Sequence, residues 1–402
     1  MNYISFIPLI GGMAIANYQA TGKKPKYVLS YDAFAKNESN LKNYWPDVEW
    51  KLLDAETNTM EEQLDYSDID FVSSVCPCAG MSSMSSSHSP DSATNNWLYK
   101  AADYILGTIK PKVYFGENAP GLYSDNNIKV ANKLREYAET YGYGFTIYKT
   151  DTQLHGIPQR RVRTFFFFWK GGKCPEMDYY NNPSSKPFEE WILDKNVGSY
   201  HTEISKDNPL ESFSVFKYLY ETKCDSDYSK YVQLFKDVIA SGRRMATGHE
   251  FIAGYNLWDE YMDWLRKDSM ANLRLNKNGK HTHLSLAEYR YNKIKQGLRF
   301  YSDEPTSYNK YTGAVTGKNV ELMLHPKEMR YLTLRECMSL MGLPQDFEVI
   351  TKNTAHITQN VPVCTAKDMT EQAMKFCRGE LKMTEYKYTK QNNLTQKIDH
   401  CE

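Results

Sequence analysis

Short runs rich in β-branched and aromatic residues alternate with helical patterns over the first 170 residues of the chain. The strand-like runs are YISFIPLI, KYVLSY, DIDFVSSV, PKVYFGEN, YGFTIYK and RTFFFFWK. Helical patterns such as NNWLYKAADYILGTI and NIKVANKLREYAETYG lie between them. This alternation predicts an α/β fold with a doubly wound, mostly parallel sheet. In such sheets, ligands bind beyond the carboxyl ends of the strands.

The alternation stops near Gly171, and the sequence predicts a chain in three segments. Residues 1–172 form the sheet domain, residues 173–325 form a smaller inserted domain, and residues 326–402 return to complete the first. A composition of 41% hydrophobic and 24% charged residues is typical of a globular protein. No apolar run approaches the ~20 residues that cross a bilayer, so we expect no membrane partner. The apolar N-terminus lacks a basic n-region and predicts a strand and turn, not a signal peptide.

Eight cysteines are scattered through the 402 residues, which indicates free thiols in a reducing cytosol. Cys76 and Cys78 flank Pro77, but their spacing is not CxxC and no paired histidines accompany them, so we expect no metal. A disulfide between these two cysteines would close a strained ring. Either thiol is then a small core group or a nucleophile.

Three segments place reactive residue types at the ends of predicted strands. They are residues 77–78 (PC), residues 117–120 (ENAP) and residues 159–163 (QRRVR). Each segment alone has an ordinary alternative: a core cysteine, a plain turn or a solvated arginine cluster. Together, in this order, they resemble the cytosine-C5 DNA methyltransferase family of bacterial or bacteriophage type. The resemblance implies a class I, Rossmann-like methyltransferase fold with an inserted target-recognition domain.

The resemblance also implies catalytic roles for these residues. Carbon 5 of cytosine is a poor nucleophile, and a Cys78 thiolate that adds to carbon 6 would push electron density onto it. Glu117 would face the N3 edge of the base with a proton, and Arg163 would hold the carbonyl oxygen. Arg161 matches a neighbouring arginine directed toward DNA or a loop. Pro77 and Asn118 belong to the same motifs. Cys76 has no counterpart in the family, so we expect a core thiol, with a nucleophile as the alternative.

The implied partner is double-stranded DNA with the target cytosine flipped out of the helix. Residues 80–97 match a mobile loop that closes over the DNA in the family. Residues 261–300 carry nine Lys and Arg against three Asp and Glu, a pattern of a phosphate-contacting face or a solvated helix pair. The residues expected to contact DNA are Ser82, Ser83, Ser85, Ser86, Ser87, His88, Gln159, Arg160, Arg274, Lys277 and Lys280.

The implied cofactor is S-adenosylmethionine. The family's loop reads Phe-x-Gly-x-Gly-Gly, and here it is FIPLIGG, so Leu9 stands at the first glycine. A side chain there is poorly tolerated by a closely approaching ligand, so weaker donor affinity or a modified donor stays open. The family's ribose-binding acid falls near Ser30, with Asp32 the nearest carboxylate, and Asp54 is expected at the adenine amino group. The expected donor contacts are Phe6, Ile10, Gly11, Gly12, Ser30, Tyr31, Asp32, Asp54, Pro77, Leu98, Gln359 and Asn360.

Two C-terminal segments resemble later elements of the family. They are residues 330–347 (RYLTLRECMSLMGLPQDF) and residues 356–363 (HITQNVPV). The second normally reads Gly-Asn-x-Val-Pro, so Gln359 or Asn360 must take the place of the family's asparagine near the donor. The tail from Gly379 looks peripheral.

The sequence therefore predicts a site-specific DNA cytosine-C5 methyltransferase that protects or marks DNA, as in restriction-modification. We expect a monomer in the cytoplasm of a bacterial cell or phage-infected host. One alternative is methylation of cytosine in RNA such as tRNA. Another is a DNA-binding protein that has lost catalysis through its altered cofactor pocket. A thymidylate-synthase-type methylase also uses a Pro-Cys nucleophile but lacks the ENAP and QRRVR segments in this order.

Overall fold

The computed structural model describes most of the sheet domain and parts of the inserted segment. The described residues are 1–77, 79–81, 89–193, 218, 252, 256–268, 271–273, 275, 279, 281–298, 311–317, 320, 323, 325–326, 330–351 and 354–400. Within them, nine strands form one sheet: β1 Tyr3–Phe6, β2 Tyr27–Tyr31, β3 Trp50–Leu53, β4 Phe71–Ser74, β5 Val113–Asn118, β6 Tyr143–Asp151, β7 Val162–Lys170, β8 Tyr388–Asn392 and β9 Lys397–His400.

The sheet has the strand order β3-β2-β1-β4-β5-β7-β6-β8-β9. Strands β1 to β5 pair in parallel, and β8 is parallel to β6. Strand β7 runs antiparallel between β5 and β6, and β9 is antiparallel to β8. The predicted doubly wound, mostly parallel α/β sheet is confirmed, and the carboxyl ends of β1 to β6 meet at one edge.

Helices cover both faces of the sheet. Asn17 of α1 donates to Ser73 Oγ on β4 and accepts from Thr370 of α9, so α1 and α9 share one face. Phe6, which alternation turns to the other face, lies 6.2 Å from the Tyr104 ring of α3. The described helices are α1 Gly12–Thr21, α2 Ala35–Tyr44, α3 Asn96–Tyr104, α4 Ile128–Tyr141, α5 Phe188–Leu193, α6 Trp258–Lys267, α7 His283–Lys295, α8 Leu334–Leu340 and α9 Val363–Cys377.

The core is built around β7, whose residues 165–169 (FFFFW) are all fully buried. Both neighbours of β7 are strands and both faces carry helices, which explains a continuous apolar run in place of alternation. The Phe167 ring stacks on Phe115 of β5, with centroids 5.4 Å apart. Burial of each such ring stabilises the fold by roughly 1.5–3 kcal/mol.

The chain divides into two compact units. The first comprises residues 1–185 and 338–402, and the second comprises residues 186–337. Both divisions fall later than the predicted boundaries at residues 172 and 325. The described residues contain no helix that is long and apolar enough to span a membrane.

The tail from Gly379 adds β8 and β9 to the sheet. Its Thr389 hydroxyl lies 2.9 Å from that of Thr146 on β6, in a buried contact. The prediction of a peripheral tail was therefore wrong. The strands carry no apolar pattern, because polar residues such as Thr389 and Gln391 occupy their buried positions and form hydrogen bonds there.

Candidate active site

The segment that leads to Cys78 and the strand that carries Glu117 lie side by side at the carboxyl edge of the sheet. Ser74, the last residue of β4, pairs with Gly116 of β5. Pro77 follows three residues after the end of β4, at a partly exposed position, and Glu117 follows one residue after the paired glycine. Cys78 itself lies outside the described residues.

Glu117 forms a buried ion pair with Arg163. The register of β5 and β7 pairs Asn118 with Thr164, which brings Arg163 beside the end of β5. Arg163 Nε lies 2.7 Å from Glu117 Oε1, and the glutamate side chain is 6% exposed. Burial raises the pKa of Glu117, although the charges of Arg163 and Arg161 oppose the shift. A raised pKa favours a carboxyl that holds a proton at the site.

The turn after Glu117 packs on the turn after Cys78. Asn118 Oδ1 accepts from the Ala119 amide at 2.9 Å, which fixes the start of the turn. A Cβ atom at Gly121 would lie 2.2 Å from the Met81 carbonyl oxygen, so glycine permits the close approach. The two predicted motifs are thus brought together by the backbone on both sides of Cys78.

The segment that returns toward α3 holds the same turn from the other side. The Ser89 amide donates to Gly80 O at 3.1 Å, and Asn95 Nδ2 donates to the carbonyl oxygens of Ser89 and Pro90. Gly80 also donates its amide to Thr94 Oγ1 at 3.2 Å. The ends of the stretch between Met81 and Ser89 are therefore fixed close together.

Cys76 is a core thiol, as predicted. It is 2% exposed, and burial raises its pKa to about 12. Its Sγ lies 3.8 Å from Ser74 Oγ and 3.9 Å from the Trp97 carbonyl oxygen. A thiol with this pKa is almost entirely protonated at neutral pH, and the thiolate is the nucleophilic form.

Of the three polar residues that precede β7, two point into the protein. Gln159 is fully buried and donates to Leu340 O at 2.6 Å, so it holds the end of α8, whereas we predicted a DNA contact. Arg161 is also buried and donates to the carbonyl oxygens of Thr358 and Asn360. Arg160 is partly exposed, with Nε 3.2 Å from Gln153 Oε1.

The altered glycine loop after β1 keeps a backbone that favours glycine. Ile7 and Leu9 have φ of 47° and 51°, in the left-handed region, and Gly11 has φ of 114°. Leu9 and Ile10 are buried, so their side chains pack into the protein. Ile7 and Leu9, the two non-glycine residues in this region, therefore each lower the free energy of unfolding by about 1–3 kcal/mol through backbone strain.

Aromatic rings gather beside this loop, beyond the carboxyl ends of β1 and β2. The Trp97 ring lies 5.0 Å from both Tyr31 and Phe34, and Phe6 lies 5.9 Å from Tyr31. Asp32 follows β2 directly and is exposed. Sequence reasoning named Tyr31, Phe6 and Asp32 here but missed Phe34 and Trp97. The signal that could have found these two is their position next to predicted contacts, since Phe34 lies two residues after Asp32 and Trp97 directly precedes Leu98.

Other predicted donor contacts have partners within the protein. Ser30 is buried, and its hydroxyl donates a hydrogen bond of 2.5 Å to Oε1 of Glu38 in α2. The exposed Asp54 carboxylate accepts from the Glu56 and Thr57 amides, which lowers its pKa. Leu98 is buried in the first turn of α3.

The final family-like segment offered two candidates for the asparagine near the donor. Gln359 Oε1 accepts from Asn37 Nδ2 at 2.6 Å on the surface. Asn360 Oδ1 accepts from the Gly12 amide at 2.7 Å, in the interior. Asn360 is thus the residue that meets the glycine loop.

The arginine-, threonine- and glutamate-bearing element forms a buried cluster at the start of α8. Arg330 donates to both carboxylate oxygens of Glu336 at 2.9 Å. Thr333 and Glu336 exchange backbone and side-chain hydrogen bonds as a capping box. This cluster stabilises the N-terminus of α8.

Several predicted site residues lie outside the described residues, and their roles stay predictions. They are Cys78, Ser82, Ser83, Ser85, Ser86, Ser87, His88, Arg274, Lys277 and Lys280.

Comparison with known proteins decides between the families that this geometry allows. A family model described as C-5 cytosine-specific DNA methylase matches residues 1–375. The chain belongs to this family. It is therefore a DNA cytosine-5 methyltransferase, and the family implies S-adenosylmethionine as the methyl donor.

Individual relatives are distant. The chain is 21% identical over 329 residues to the Type II methyltransferase M.Bpa9945I of Bacillus paralicheniformis, a match of 75% of this chain and 69% of that protein. It is 22% identical over 204 residues to the Type II methyltransferase M.BanI of Aneurinibacillus aneurinilyticus, which covers 50% of this chain and 43% of that protein.

Among the solved structures that are similar in fold is one that matches nearly the whole chain. It is a candidate DNA modification methyltransferase encoded within an E. coli prophage, with a TM-score of 0.54 at 14% identity. The similarity covers 94% of this chain and 99% of that chain. At this identity the comparison supports the fold alone.

Proposed function

We propose that the chain transfers a methyl group from S-adenosylmethionine to carbon 5 of a flipped-out cytosine at specific sites in double-stranded DNA. One observation carries the proposal: Glu117 and Arg163 form a buried ion pair at the sheet edge where Pro77 leads into Cys78. A carboxyl that holds a proton and a fixed guanidinium are the two groups that a cytosine ring needs while a thiolate adds to it.

Cys78 is the proposed nucleophile. Its thiolate forms a bond to carbon 6 of cytosine, and the electron pair of the 5,6 double bond moves toward carbon 5. Glu117 gives its proton to N3, so that the ring does not accumulate negative charge. Arg163 holds the carbonyl oxygen of the base and orients the Glu117 carboxyl.

The second half of the reaction restores the ring. When bound, the donor would supply an electrophilic methyl group, which carbon 5 would take up while the methyl–sulfonium bond breaks and leaves a neutral thioether. A base then removes the carbon-5 proton, and an ordered water is our candidate for it. The electron pair of that C–H bond re-forms the double bond, the carbon–sulfur bond breaks to release the Cys78 thiolate, and N3 returns its proton to the Glu117 carboxylate.

The donor is proposed to bind between the glycine loop and the aromatic group of Tyr31, Phe34 and Trp97. The fit rests on the exposed Asp32 carboxylate, which suits ribose hydroxyls, and on the ring faces, which suit adenine. Phe6, Ile10, Gly11, Gly12 and Leu98 are the further residues that we propose to contact the donor. Because the loop is closed by Leu9 and Ile10, we expect altered contacts to the methionine part.

DNA is proposed to bind over the carboxyl edge of the sheet. A cytosine inside a duplex cannot present both faces to a thiolate and a methyl donor, so it must be flipped out. Serines 82, 83, 85, 86 and 87 with His88 would close over it, and Arg160 and the basic stretch 261–300 would contact phosphates. Residues 173–325 would read the target sequence.

The biological role proposed here is protection or marking of DNA in a restriction-modification system. The Type II methyltransferase names of the relatives support this role. We further propose that the protein acts as a monomer in the cytoplasm of a bacterial cell or phage-infected host.

Expression in cells that lack cytosine methylation, followed by sequencing of bisulfite-treated DNA, tests the proposal. We expect one short sequence context in which cytosines resist conversion, and none in cells expressing the Cys78→Ser variant. Labelled methyl transfer to DNA and to tRNA is measured in parallel. Transfer to tRNA alone would replace DNA with RNA as the substrate.

Calorimetry with S-adenosylmethionine tests the altered loop separately. Binding of the donor is expected. DNA binding without any donor binding would instead indicate a DNA-binding protein that has lost catalysis.

A further inference from the structure

Arg161 lies in the segment that prepares the base pocket, but its guanidinium points toward the donor side. Its Nη2 donates to Thr358 O at 2.8 Å and to Asn360 O at 3.1 Å. The side chain is buried, and its charge acts on Glu117, whose ion pair partner Arg163 is two residues further along. Arg161 thus connects the surroundings of Glu117 with the final segment of the family match.

The backbone of Arg161 is fixed independently of its guanidinium. Its amide donates to Asp151 Oδ1 at 2.9 Å, and its carbonyl oxygen accepts from the Thr152 amide at 3.2 Å. Both acceptor and donor belong to the end of β6 and the turn after it. The guanidinium is therefore held at a set distance from the sheet, and the segment that it binds is positioned relative to β6.

Asn360 continues the connection to the glycine loop. Its Oδ1 accepts from the Gly12 amide at 2.7 Å, and the contact is buried. A Cβ atom at Gly12 would lie 2.0 Å from this oxygen and 2.3 Å from Val361 O, so the loop and the final segment are in direct contact. Gly12 is the first residue of α1, and a shift of Asn360 would move the start of that helix.

We propose that Arg161 is a positioning residue that couples the base pocket to the donor loop through Asn360 and Gly12. The inference rests on the proposed function. According to this proposal, the affinity for the donor depends on Arg161 although Arg161 does not contact the donor itself. By reciprocity, donor binding stabilises the segment that precedes Arg163 and so prepares the base pocket.

The planar guanidinium is the property that matters. It presents several N–H donors in a fixed plane and can serve two carbonyl oxygens at once, whereas a lysine ammonium on a shorter reach is a single point charge. Arg161→Lys should therefore release at least one carbonyl. The matched control is Arg163→Lys, which alters the base pocket but not the final segment.

The experiment measures S-adenosylmethionine binding by calorimetry without DNA, for the wild type, Arg161→Lys, Asn360→Ala and the double variant. We expect each single change to weaken binding about tenfold, the effect of one lost hydrogen bond. The double variant should be no weaker than the stronger single effect, because both changes break one chain of contacts. Arg163→Lys should bind within about twofold of the wild type.

A second readout does not depend on the donor. Hydrogen exchange at the amides of residues 12–15 in the free protein should speed up in Arg161→Lys and Asn360→Ala but not in Arg163→Lys. If the wild type binds no donor, the proposed function fails, and this exchange pattern still decides the coupling. Should Arg161→Lys not fold, Arg161→Gln replaces it.

Wild-type donor affinity and wild-type exchange in Arg161→Lys, with a native melting temperature, would overturn the inference. Additive losses in the double variant would also overturn it, since they would indicate two unrelated structural effects.

Discussion

Two buried side chains, Cys76 and Glu117, illustrate how the surroundings of a buried group separate a structural role from a chemical one. Cys76 is enclosed beside β4, and burial raises its pKa to about 12. Glu117 is also buried, and burial raises its pKa, which favours the protonated carboxyl. Unlike Cys76, it has a charged partner, with Arg163 Nε 2.7 Å from its Oε1. Burial alone therefore marks Cys76 as a core group, whereas burial beside a fixed charge marks Glu117 as a candidate acid.

Glu117→Gln tests this interpretation. The amide keeps the size of the side chain but cannot give a proton to N3, so we expect kcat to fall about 10²- to 10⁴-fold. DNA affinity should change little, because the side chain is buried below the surface. Single-turnover methyl transfer and DNA binding are measured on the same preparation. Equal losses in both would indicate a mainly structural role.

Glu38 gives the fold a pH dependence. Burial raises its pKa from 4.5 to about 8, with Ser30 as its hydrogen-bond partner. Between these values the folded state holds a proton that the unfolded state releases, so the free energy of unfolding should fall as pH rises from 4.5 toward 8. The contribution is roughly 1.4 kcal/mol per pH unit at most.

The measurement for Glu38 is urea unfolding at several pH values. Glu38→Gln stays neutral at every pH, so its difference from the wild type isolates this carboxyl. The difference should grow in favour of the variant above pH 4.5. A constant difference across the interval would show that Glu38 is not protonated in the fold.

At the scale of elements, patterns of apolar residues predicted the strands that are buried in the core. All six predicted strand runs contain strands, and the fully buried FFFFW run of β7 lies inside the sheet between β5 and β6. Strands β3, β8 and β9 were missed because WKLL, YTKQN and KIDH are short or polar. The positions of β3, β8 and β9 in the sheet come from pairing with β2, β6 and β8, which a local sequence pattern does not report.

For the candidate site, the sequence predicted which segments carry the residues but not where each side chain points. The structure pairs Glu117 with Arg163 at the carboxyl edge of the sheet, but the direction of each side chain follows from contacts distant in sequence. Gln159 and Arg161 point into the protein because they donate hydrogen bonds to carbonyl oxygens of the C-terminal segment. Phe34 and Trp97 were missed because each becomes part of the aromatic group only through packing against Tyr31.

Removal of the tail tests the role of β8 and β9. A chain that ends at Gly379 would expose the edge of β6 and lose the bond from Asn393 Nδ2 to Thr150 Oγ1, at 2.9 Å. We expect a melting temperature lower by several degrees and a tendency to aggregate, because an open strand edge pairs with other chains. A chain that ends at His400 is the control. An unchanged melting temperature in the shorter chain would contradict this view of the tail.

For the whole molecule, the family match includes residues of both compact units, but it ends before the sheet does. The family match ends at residue 375, and β8 and β9 continue the same sheet beyond it. The compact units divide after residues 185 and 337, later than the predicted boundaries. The reason is that Cys174 hydrogen-bonds to Tyr386 of the sheet unit, whereas Leu332 hydrogen-bonds to Met323 of the second unit. The reading of a DNA sequence by residues 173–325 stays a prediction.

The central claim is that the chain methylates cytosine through a covalent bond to Cys78. A duplex that carries 5-fluorocytosine at the target traps this bond, because the fluorine on carbon 5 cannot leave as a cation and the thiolate cannot be released. With S-adenosylmethionine present, we expect the wild type and Cys76→Ser to form a complex that survives denaturation, and Cys78→Ser to form none. A stable complex with Cys78→Ser, or its loss in a folded Cys76→Ser variant, would contradict the account.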